Sequence, residues 1–426
     1  MKVVFLCGGV GKRMFPITED KFLLKFLGKP LLAHQIEMVV KVGLTDFLFI
    51  CNPQNMEKVS SVAACYSGID TSFVAQKESL GIADALQSAA ADIDGEILVV
   101  NPNDVFDELA FTDIMREYSD NGAVSYLLGY RVHSYFPGGY MEINDRNELR
   151  SIVEKPGRGN EPSDLVNILV HIHTDSDKLF QHLKQIKSSD DNVYELAIGR
   201  MATNGDIVKV VSYEGAWSAI KYPWDILTTV EGFLNKAESR ISPTAEISEK
   251  ATVEGKVIIE DGVRILESAV VRGPCYIGRN TVIGNNALVR DSSHIGSDCV
   301  IGHSTEIKHS YVDDGCWFHS NYVGDSILGR GCSLGAGTVT ANWRFDERNV
   351  SINVGGDLID TKQGKFGMIM GPRCKTGINV SIMPGVRIGS DARVGPHVNL
   401  VEDLAPNKII VTETRNKVID RDILGI

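Results

Sequence analysis

The feature that most constrains the fold is a six-residue repeat in the second half of the chain. Isoleucine or valine stands at every sixth position for twelve consecutive positions, namely Ile241, Ile247, Val253, Ile259, Ile265, Val271, Ile277, Ile283, Val289, Ile295, Ile301 and Ile307. Neither a helix, with a period of about 3.6, nor an alternating strand, with a period of about 2, produces this spacing. It is typical of a parallel β-helix, in which each hexad forms one short face and three faces complete a coil. Because each coil buries its apolar side chains against the next, the repeat predicts one cooperative all-β domain.

The same repeat sets the predicted domain boundaries. It loosens after Val312 and resumes near Met370, where four further aliphatic positions are Ile382, Ile388, Val394 and Leu400. The charged stretch between these segments, about 343–365, lacks the repeat and is predicted to be an inserted loop. We therefore expect a β-helix domain at 238–426 and a separate domain at 1–237.

The first 237 residues alternate apolar runs of strand length with amphipathic runs of helix length. The predicted strands in its first half include Val3–Cys7, Phe47–Cys51 and Ile97–Asn101. Strands joined by helices form right-handed crossovers and a mostly parallel sheet, and ligands bind at the carboxyl ends of such strands. The second half is less regular, and several of its strands are predicted to be antiparallel. The sequence thus predicts an α/β Rossmann-like domain.

Composition excludes several classes of protein. No apolar stretch reaches the length of a membrane span, and a net charge of −12 argues against general nucleic-acid binding. The eight cysteines are scattered without C-x-x-C spacing, which favours buried free thiols in a reducing compartment. The opening residues lead directly into a strand without a cleavage site, so we expect a cytoplasmic protein.

A glycine-rich loop follows the first predicted strand and reads Cys-Gly-Gly-Val-Gly-Lys-Arg-Met-Phe-Pro-Ile-Thr from Cys7. Glycines let the backbone approach a ligand and direct N–H groups at phosphate oxygens, and Arg13 and Lys21 add positive charge. The loop is not a Walker A loop, because Arg13 replaces the Ser/Thr, and Met14 replaces the third glycine of a dinucleotide-binding turn. The glycines alone are explained equally well by a turn with solvated charges.

The longer pattern G-G-x-G-x-R-M-x-P-I-T, a following lysine and Leu-Gly-Lys-Pro-Leu at 27–31 resembles the signature of sugar-1-phosphate nucleotidylyltransferases. These enzymes join a nucleoside triphosphate to a sugar-1-phosphate and release pyrophosphate. The resemblance implies that Arg13 and Lys21 contact phosphates during catalysis. The motif Gln76…Leu80-Gly81 implies a pyrimidine nucleotide, UTP or dTTP. The implied nucleotide-binding residues are Leu6, Gly8, Gly9, Gly11, Lys12, Gln76 and Gly81.

The resemblance further implies a Mg²⁺ site and a sugar-phosphate site. Asp104 and Asp225, the latter in Tyr-Pro-Trp-Asp, match the two metal-binding carboxylates of that family. On its own, each aspartate is explained at least as well by a turn or a helix N-terminus. The residues implied to bind the sugar phosphate are Gly139, Glu154, Lys155 and Asn167.

Within the β-helix, Phe318–Asp325 and Gly335–Asn342 depart from the hexad rule. They resemble the acetyltransferase site of archaeal bifunctional glucosamine-1-phosphate N-acetyltransferase/N-acetylglucosamine-1-phosphate uridylyltransferases. The resemblance implies that His319 acts as general base on the amine, a task suited to a pKa near the working pH. The alternative is a solvated loop histidine. Asp325 is a candidate to orient His319.

The same resemblance implies substrate-binding roles for Tyr322, Asn342 and Arg348, with acetyl-CoA as co-substrate. It also implies a left-handed helix that forms a homotrimer or a dimer of trimers, with acetyl-CoA between neighbouring β-helices. Two alternatives stay open. One is a single-activity hexose-1-phosphate uridylyl- or thymidylyltransferase whose β-helix only trimerises. The other is a weakly active regulatory homologue.

Several positions depart from the pattern of these families. Lys12, Asp20, Ile82 and Asn103 replace Thr, Pro, Thr and Gly in the first domain. In the β-helix, Arg348 and Ser351 stand where relatives carry lysine. Arginine keeps the charge of lysine but not its shape, so acetyl transfer is more in question than nucleotidyl transfer.

Overall fold

The computed structural model describes residues 1–9, 11, 13–120, 122–188 and 190–418. Contacts divide the chain into two compact units. Unit one comprises Met1–Gly11, Glu19–Lys25 and Lys29–Ile220. Unit two comprises the described residues of Lys12–Thr18, Phe26–Gly28 and Lys221–Ile426.

The N-terminal half of the chain alternates strands and helices. Its strands are β1 (Lys2–Cys7), β2 (Lys25–Phe26), β3 (Lys29–Pro30), β4 (Asp46–Cys51), β5 (Asp70–Ala75), β6 (Ile97–Val100), β7 (Asp104–Val105), β8 (Ser125–Arg131), β9 (Gly139–Ile143), β10 (Leu149–Glu154), β11 (Leu165–His173), β12 (Val208–Ser212) and β13 (Ser218–Ala219). Its helices are α1 (Leu31–Lys41), α2 (Met56–Ala63), α3 (Ile82–Ser88), α4 (Leu109–Ser119), α5 (Ser176–Gln185), α6 (Val193–Thr203) and α7 (Asp225–Lys236), with a 3₁₀ turn at Lys21–Leu23.

Unit one is built on a nine-stranded sheet with the order β10-β9-β11-β6-β1-β4-β5; in addition, β8 pairs with β11, and β12 pairs with β8. Strands β6, β1, β4 and β5 are parallel, whereas β11 runs antiparallel to β6. The α/β class with antiparallel strands in the second half is therefore confirmed. Both faces are covered: Phe5, Phe47 and Phe49 stack on one side, and Val4 and Leu48 pack on the other. Burial on both faces explains why these strands are apolar throughout.

Unit two contains three parallel sheets of two- and three-residue strands. The first holds β14 (Arg240–Ile241), β17 (Val257–Ile259), β20 (Cys275–Ile277), β23 (Ser293–Ile295), β26 (Tyr311–Val312), β29 (Ile327–Leu328), β34 (Ile369–Met370) and β37 (Arg387–Ile388). The second holds β15 (Glu246–Ile247), β18 (Arg264–Ile265), β21 (Val282–Ile283), β24 (Val300–Ile301), β27 (Trp317–Phe318), β30 (Ser333–Leu334), β35 (Lys375–Thr376), β38 (Arg393–Val394) and β40 (Ile409–Ile410). The third holds β16 (Thr252–Glu254), β19 (Val270–Arg272), β22 (Leu288–Arg290), β25 (Glu306–Lys308), β28 (Tyr322–Gly324), β31 (Val339–Thr340), β36 (Ser381–Ile382) and β39 (Asn399–Leu400).

The hexad repeat predicts this register. Ile241 pairs with Ile259 and Ile259 with Ile277, so three hexads make one coil of a left-handed parallel β-helix. Repeat positions from Ile259 to Ile307 are buried, whereas Ile241 is 47% exposed. Ile241 lies in the first coil, which has a neighbouring coil on one side only, and this explains its exposure.

Between β31 and β34 the chain leaves the coil. It forms an antiparallel hairpin of β32 (Ser351–Val354) and β33 (Asp357–Asp360), and a bridge between Trp343 and Lys365 closes its base. Val350 and Phe366 are buried, and a Cβ at Gly385 would lie 2.7 Å from Val350 Cγ1, so the insertion packs against the β-helix near Gly385.

Helix α7 groups with the β-helix by its contacts, although the sequence assigns it to the first domain. Phe233 stacks on Phe26 at 5.2 Å, and Glu231 lies 3.0 Å from His309. Contacts divide the chain after Ile220, whereas the domain bounds of 1–237 and 238–426 stay a prediction. Seven of the eight cysteines are buried thiols, as predicted, and Cys65 is exposed. None of the described helices combines the length and the apolar character that crossing a membrane requires.

Candidate active sites

The glycine-rich loop begins directly against Gln76. A Cβ atom at Gly8 would lie 2.0 Å from Gln76 Oε1, so only glycine fits there. Gln76 is buried, and its Nε2 donates to the Asp84 carboxylate at 2.8 Å and to the Gly81 carbonyl at 3.3 Å. The amide of Gln76 is thereby held in one orientation beside the loop.

A cavity of about 210 Å³ lies at the carboxyl ends of the parallel strands in unit one. Five residues predicted to bind nucleotide line it: Leu6, Gly8, Gly9, Gln76 and Gly81. Ile82, Asn101, Asn103 and Asp191 also line it. Gly11 is described but does not line this cavity, and Lys12 lies outside the described residues. The position agrees with the general rule for ligand sites on α/β sheets.

Lys21 opens the 3₁₀ turn that follows the loop, next to the half-buried carboxylate of Asp20. Asp20 accepts from Asn55 Nδ2 at 2.7 Å, and the same Nδ2 donates to the carbonyl of Cys7 at 2.9 Å. Burial raises the pKa of Asp20 above its ordinary value, although the hydrogen bond from Asn55 acts to lower it. Asp20 thus ties the turn to the end of β1, which gives this departure from the family pattern a structural role.

Asp104 lies on β7, in unit one, where it pairs with Ala219 of β13. The indole N–H of Trp217 donates to its Oδ2 at 3.4 Å, and Gln35 Nε2 donates to its main-chain carbonyl at 2.6 Å. Asn103 forms a turn with Asn101 immediately before it. Asp104 is therefore held at the start of a short strand, with its carboxylate bonded to Trp217 and its main chain bonded to Gln35.

Asp225, in unit two, is the first residue of α7. Its Oδ2 accepts from the backbone N–H groups of Lys221 at 2.7 Å and Tyr222 at 2.8 Å. The Tyr222 ring stacks on Trp224 at 4.5 Å, and the Arg13 guanidinium lies 5.6 Å from the Tyr222 centroid. Cation–π attraction thus places Arg13 on the Tyr-Pro-Trp-Asp motif.

The donor set suits Mg²⁺ better than a metal that requires a protein cage. The part of the chain that the structure describes has no group of three or more His, Cys, Asp or Glu side chains that could hold a metal. Mg²⁺ is usually bound by one or two carboxylates together with water and substrate phosphates. Single aspartates such as Asp104 and Asp225 fit that requirement.

Three of the four predicted sugar-phosphate residues lie side by side. Gly139 pairs with Glu154 across β9 and β10, and a Cβ at Gly139 would lie 3.1 Å from Glu154 Oε2 and 3.5 Å from Asn167 Cβ. Lys155 adopts a positive φ of 47° and its Nζ lies 2.9 Å from Glu154 Oε1. Burial lowers the pKa of Lys155, but Glu154, Asp191 and Glu195 raise it above its ordinary value overall.

Two acidic residues of this region were not found from the sequence. Glu195 on α6 is buried, and burial together with Glu154 and Asp191 raises its pKa to about 8. Asp191 lines the nucleotide cavity and also acts on Lys155 and Glu195, so it lies where the two predicted sites meet. Neither residue belongs to a recognisable motif, and only the packing of α6 on β10 shows their place.

In the β-helix, His319 lies in the exposed turn after β27. Its backbone N–H donates to Asn321 Oδ1 at 2.9 Å, and Asn321 Nδ2 donates to the Gly335 carbonyl at 2.8 Å. Asn342 Nδ2 lies 3.3 Å from Tyr322 Oη. A Cβ at Gly324 would lie within 3 Å of both Tyr322 Oη and Asn342 Nδ2, so glycine is required for these side chains to meet.

Asp325 is the centre of a buried ionic network. Only 4% of its side chain is exposed, and it accepts from Lys308 Nζ at 3.0 Å, from His309 Nδ1 at 2.8 Å and from Asn342 Nδ2. Burial alone would raise the pKa of Asp325, but these donors lower it overall. Burial alone would lower the pKa of His309, but Asp325 and Glu231 raise it above its ordinary value overall.

The suggestion that Asp325 orients His319 is wrong. Among the described residues, the Asp325 carboxylate is bonded to His309, Lys308 and Asn342, and none of its hydrogen bonds reaches His319. The turn at Asp325, with φ of 51°, aims the carboxylate at the coil before it. Asp325 therefore supports Asn342 rather than the proposed base.

Two comparisons address the whole chain. Residues 2–220 match the nucleotidyl transferase family model, and residues 256–291 and 274–309 match the bacterial transferase hexapeptide model (six repeats). A "Bifunctional protein GlmU" from Methanococcus maripaludis strain C7 is 37% identical over 98% of this chain and 100% of its own length. A "Bifunctional sugar-1-phosphate nucleotidylyltransferase/acetyltransferase" from Sulfurisphaera tokodaii is 33% identical over 93% of this chain and 96% of its own length.

The chain belongs to the bifunctional GlmU family. It therefore carries a nucleotidyltransferase domain followed by a hexapeptide transferase domain, as the sequence predicts. The residues that depart from the GlmU pattern lie in different parts of the structure. Ile82 lines the nucleotide cavity, and Asn103 shapes the turn before Asp104.

The insertion after β31 holds the departures at Arg348 and Ser351. Arg348 is exposed, and its backbone N–H donates to Asp346 at 3.3 Å. Ser351 begins β32. Within the described residues no hydrogen bond joins Arg348 or Ser351 to the Tyr322–Asn342 pair.

Proposed function

We propose that the protein catalyses two reactions. Its first domain transfers a uridylyl group from UTP (or a thymidylyl group from dTTP) to a sugar-1-phosphate, of which N-acetylglucosamine-1-phosphate is the favoured candidate. Its β-helix transfers an acetyl group from acetyl-CoA to glucosamine-1-phosphate. The observation that carries the proposal is the cavity that gathers Gly8, Gly9, Gln76 and Gly81 and adjoins the Gly139–Glu154–Asn167 set through Asp191.

In the nucleotidyl transfer, a phosphate oxygen of the sugar-1-phosphate attacks the α-phosphorus of the triphosphate. One P–O bond forms, the bond to the β-phosphate breaks, and pyrophosphate leaves. Positioning and charge neutralisation dominate such reactions. Arg13 and Lys21 would supply cationic contacts to the phosphates, and Gln76 would hold the base. Asp104 and Asp225 would each offer a carboxylate to Mg²⁺, which neutralises phosphate charge.

In the acetyl transfer, His319 would accept a proton from the amine of glucosamine-1-phosphate. The amine then attacks the thioester carbonyl, and coenzyme A leaves as a thiol after receiving a proton. Tyr322 and Asn342 would bind the substrate, and the network at Asp325 supports this assignment because it fixes the Asn342 amide.

The two activities are tested separately. Pyrophosphate release is measured with Mg²⁺, UTP or dTTP, and a panel of hexose-1-phosphates and their 2-acetamido analogues. Release of free CoA thiol is measured with acetyl-CoA and glucosamine-1-phosphate. Pyrophosphate release without CoA release would refute the acetyltransferase assignment.

One observation favours a second candidate, a nucleotidylyltransferase whose β-helix serves only in assembly. Arg348 and Ser351, at family lysine positions, are not joined to the Tyr322–Asn342 pair by any hydrogen bond among the described residues. Exposed apolar residues on the coils, Trp317, Val339 and Ile378, are suited to contact a second copy. We propose a homotrimer in either case, which light scattering of the purified protein tests.

A further inference from the structure

A line of buried polar groups runs from β8 through α6 to Asn167. Ser125 Oγ lies 2.8 Å from His173 Nδ1, and His173 Nε2 lies 2.8 Å from Tyr194 Oη. Tyr194 Oη lies 2.9 Å from His171 Nδ1, and His171 Nε2 lies 2.7 Å from Asn167 Oδ1. Ser125, His171 and His173 have no exposed surface, and Tyr194 is 1% exposed.

The surroundings of both histidines favour the neutral imidazole, because each ring is fully buried and its hydrogen-bond partners in the line are uncharged. Burial lowers the pKa of His173 to about 3. The pKa of His171 lies well below its ordinary value, mainly because of burial and secondly because His173 is close. A neutral imidazole has one N–H donor and one acceptor nitrogen, and a tyrosine hydroxyl has one proton. If every proton of the line is accepted within the line, each group donates to one neighbour and accepts from the other, and all four hydrogen bonds point the same way.

Two directions are possible, and Ser125 distinguishes them. If the bonds ran from Asn167 to Ser125, the Ser125 hydroxyl would accept from His173 and its own proton would need another acceptor. Among the described residues, His173 is the one hydrogen-bond partner of that hydroxyl. A fully buried donor without an acceptor is unfavourable. In the opposite direction every proton of the line has an acceptor.

The direction from Ser125 to Asn167 fixes the tautomers of His171 and His173 and the orientation of the Asn167 side-chain amide. His173 and His171 carry their protons on Nε2, and His171 donates to Asn167 Oδ1. The Asn167 carbonyl oxygen is thereby used inside the protein, and its Nδ2 group is left for the other side. Asn167 lies beside Gly139 and the Glu154 carboxylate: a Cβ at Gly139 would be 3.5 Å from Asn167 Cβ and 3.1 Å from Glu154 Oε2.

We propose that Tyr194, His171 and His173 are positioning residues that make Asn167 a hydrogen-bond donor to the sugar. Beside Gly139, Glu154 then acts as an acceptor and Asn167 as a donor. It selects a sugar-1-phosphate with a hydroxyl that can donate to Glu154 and an oxygen that accepts from Asn167. This inference rests on the proposed role of Asn167 in sugar binding.

Neutron diffraction from crystals of the deuterium-exchanged protein measures the direction itself. The expected result is deuterium on Nε2 of both His171 and His173, and a deuterated amide nitrogen of Asn167 turned away from His171. Deuterium on Nδ1 of either histidine would overturn the proposal. This measurement needs no substrate, so it remains decisive even if pyrophosphate assays refute the proposed function.

A pair of variants then tests the effect on sugar binding. His171→Leu removes the donor to Asn167, and His171→Gln keeps an N–H toward Asn167 and an acceptor toward Tyr194. Losing one such hydrogen bond is expected to raise the KM for the sugar-1-phosphate about tenfold. The KM for UTP should stay at the wild-type value, and His171→Gln should restore most of the loss.

Equal kinetics of the two His171 variants would overturn the positioning role, as would an equal rise of both KM values. Tyr126→Phe is the matched control for Tyr194→Phe. Tyr126 is a buried tyrosine on β8 whose hydroxyl accepts from the backbone N–H of Ala123, outside the line. Only Tyr194→Phe should raise the KM for the sugar-1-phosphate, and an effect of the same size in both would contradict the proposal.

Discussion

Replacing Asp325 with asparagine removes the charge at the centre of the β-helix network with little change in shape. The positive charges of Lys308 Nζ and the His309 ring then lose the negative charge that they contact. Of the carboxylates near His309, the one that faces Nδ1 is lost, whereas Glu231 still faces Nε2. The Asn342 amide also loses its anionic acceptor. We expect lower stability of the β-helix and slower acetyl transfer.

The magnitude follows from burial. Removing one partner of a fully buried ion pair costs about 3–5 kcal/mol. Here the Asp325 side chain is 4% exposed, but those of Lys308 and His309 are 16% and 20% exposed. Their partial solvation reduces the cost, and the introduced asparagine can still accept a hydrogen bond, so we expect a loss of about 2–3 kcal/mol.

The loss should depend on pH. The pKa of His309 is raised in the fold, so its contribution is complete below the ordinary value of about 6.5 and is lost as pH rises through the folded value. The pKa of Asp325 is lowered, so its contribution is present above about 3.9 and is lost as pH falls through the folded value. The charged groups facing His309 are Asp325, Glu231 and Lys308. The difference between wild type and Asp325→Asn is therefore largest from about pH 4 to 6.5.

Urea unfolding at several pH values measures this difference. Asp391→Asn is the matched control, because Asp391 also lies at a positive φ in the β-helix but pairs with Arg373 on the surface. An exposed pair of this kind contributes little to stability, because solvent screens the two charges. Equal losses in both variants, or a pH-independent loss at Asp325, would refute the reasoning. Nucleotidyl transfer should remain in both.

Three further predictions concern the first reaction. Gly8→Ala should raise the KM for UTP more than about tenfold, because its Cβ would displace the Gln76 amide; unchanged steady-state kinetics would contradict this. Asp104→Ala and Asp225→Ala should each abolish pyrophosphate release and leave CoA release intact; loss of both activities in a folded variant would contradict separate sites. Glu195→Gln should be more stable than wild type at about pH 7.5 but not at about pH 4.5, which thermal unfolding at the two pH values measures. Because the pKa of Glu195 is raised to about 8 in the fold, the wild-type native state loses stability as pH rises, and glutamine removes this loss.

Motifs of the first domain predicted its site only in part. The glycines and Gln76 were predictable because close backbone approach leaves a sequence pattern, and the structure explains it through the short distance between Gly8 and Gln76. Asp191 and Glu195 were not predictable, since a single carboxylate carries no signal until packing surrounds it with other charges. The role of Asp20 was likewise hidden, because its partner Asn55 is distant in sequence.

The sequence by itself determined the β-helix, because its register is local: a coil closes after three hexads and the apolar position repeats with it. It also determined the α/β class of the first half. Only the tertiary structure decided that α7 groups with the β-helix, that Asp325 serves Asn342 rather than His319, and that a buried line of hydrogen bonds ends at Asn167. These features depend on side chains that meet from distant segments, and on the low solvation of the place where they meet. The periodicity of the sequence predicts neither these contacts nor the low solvation.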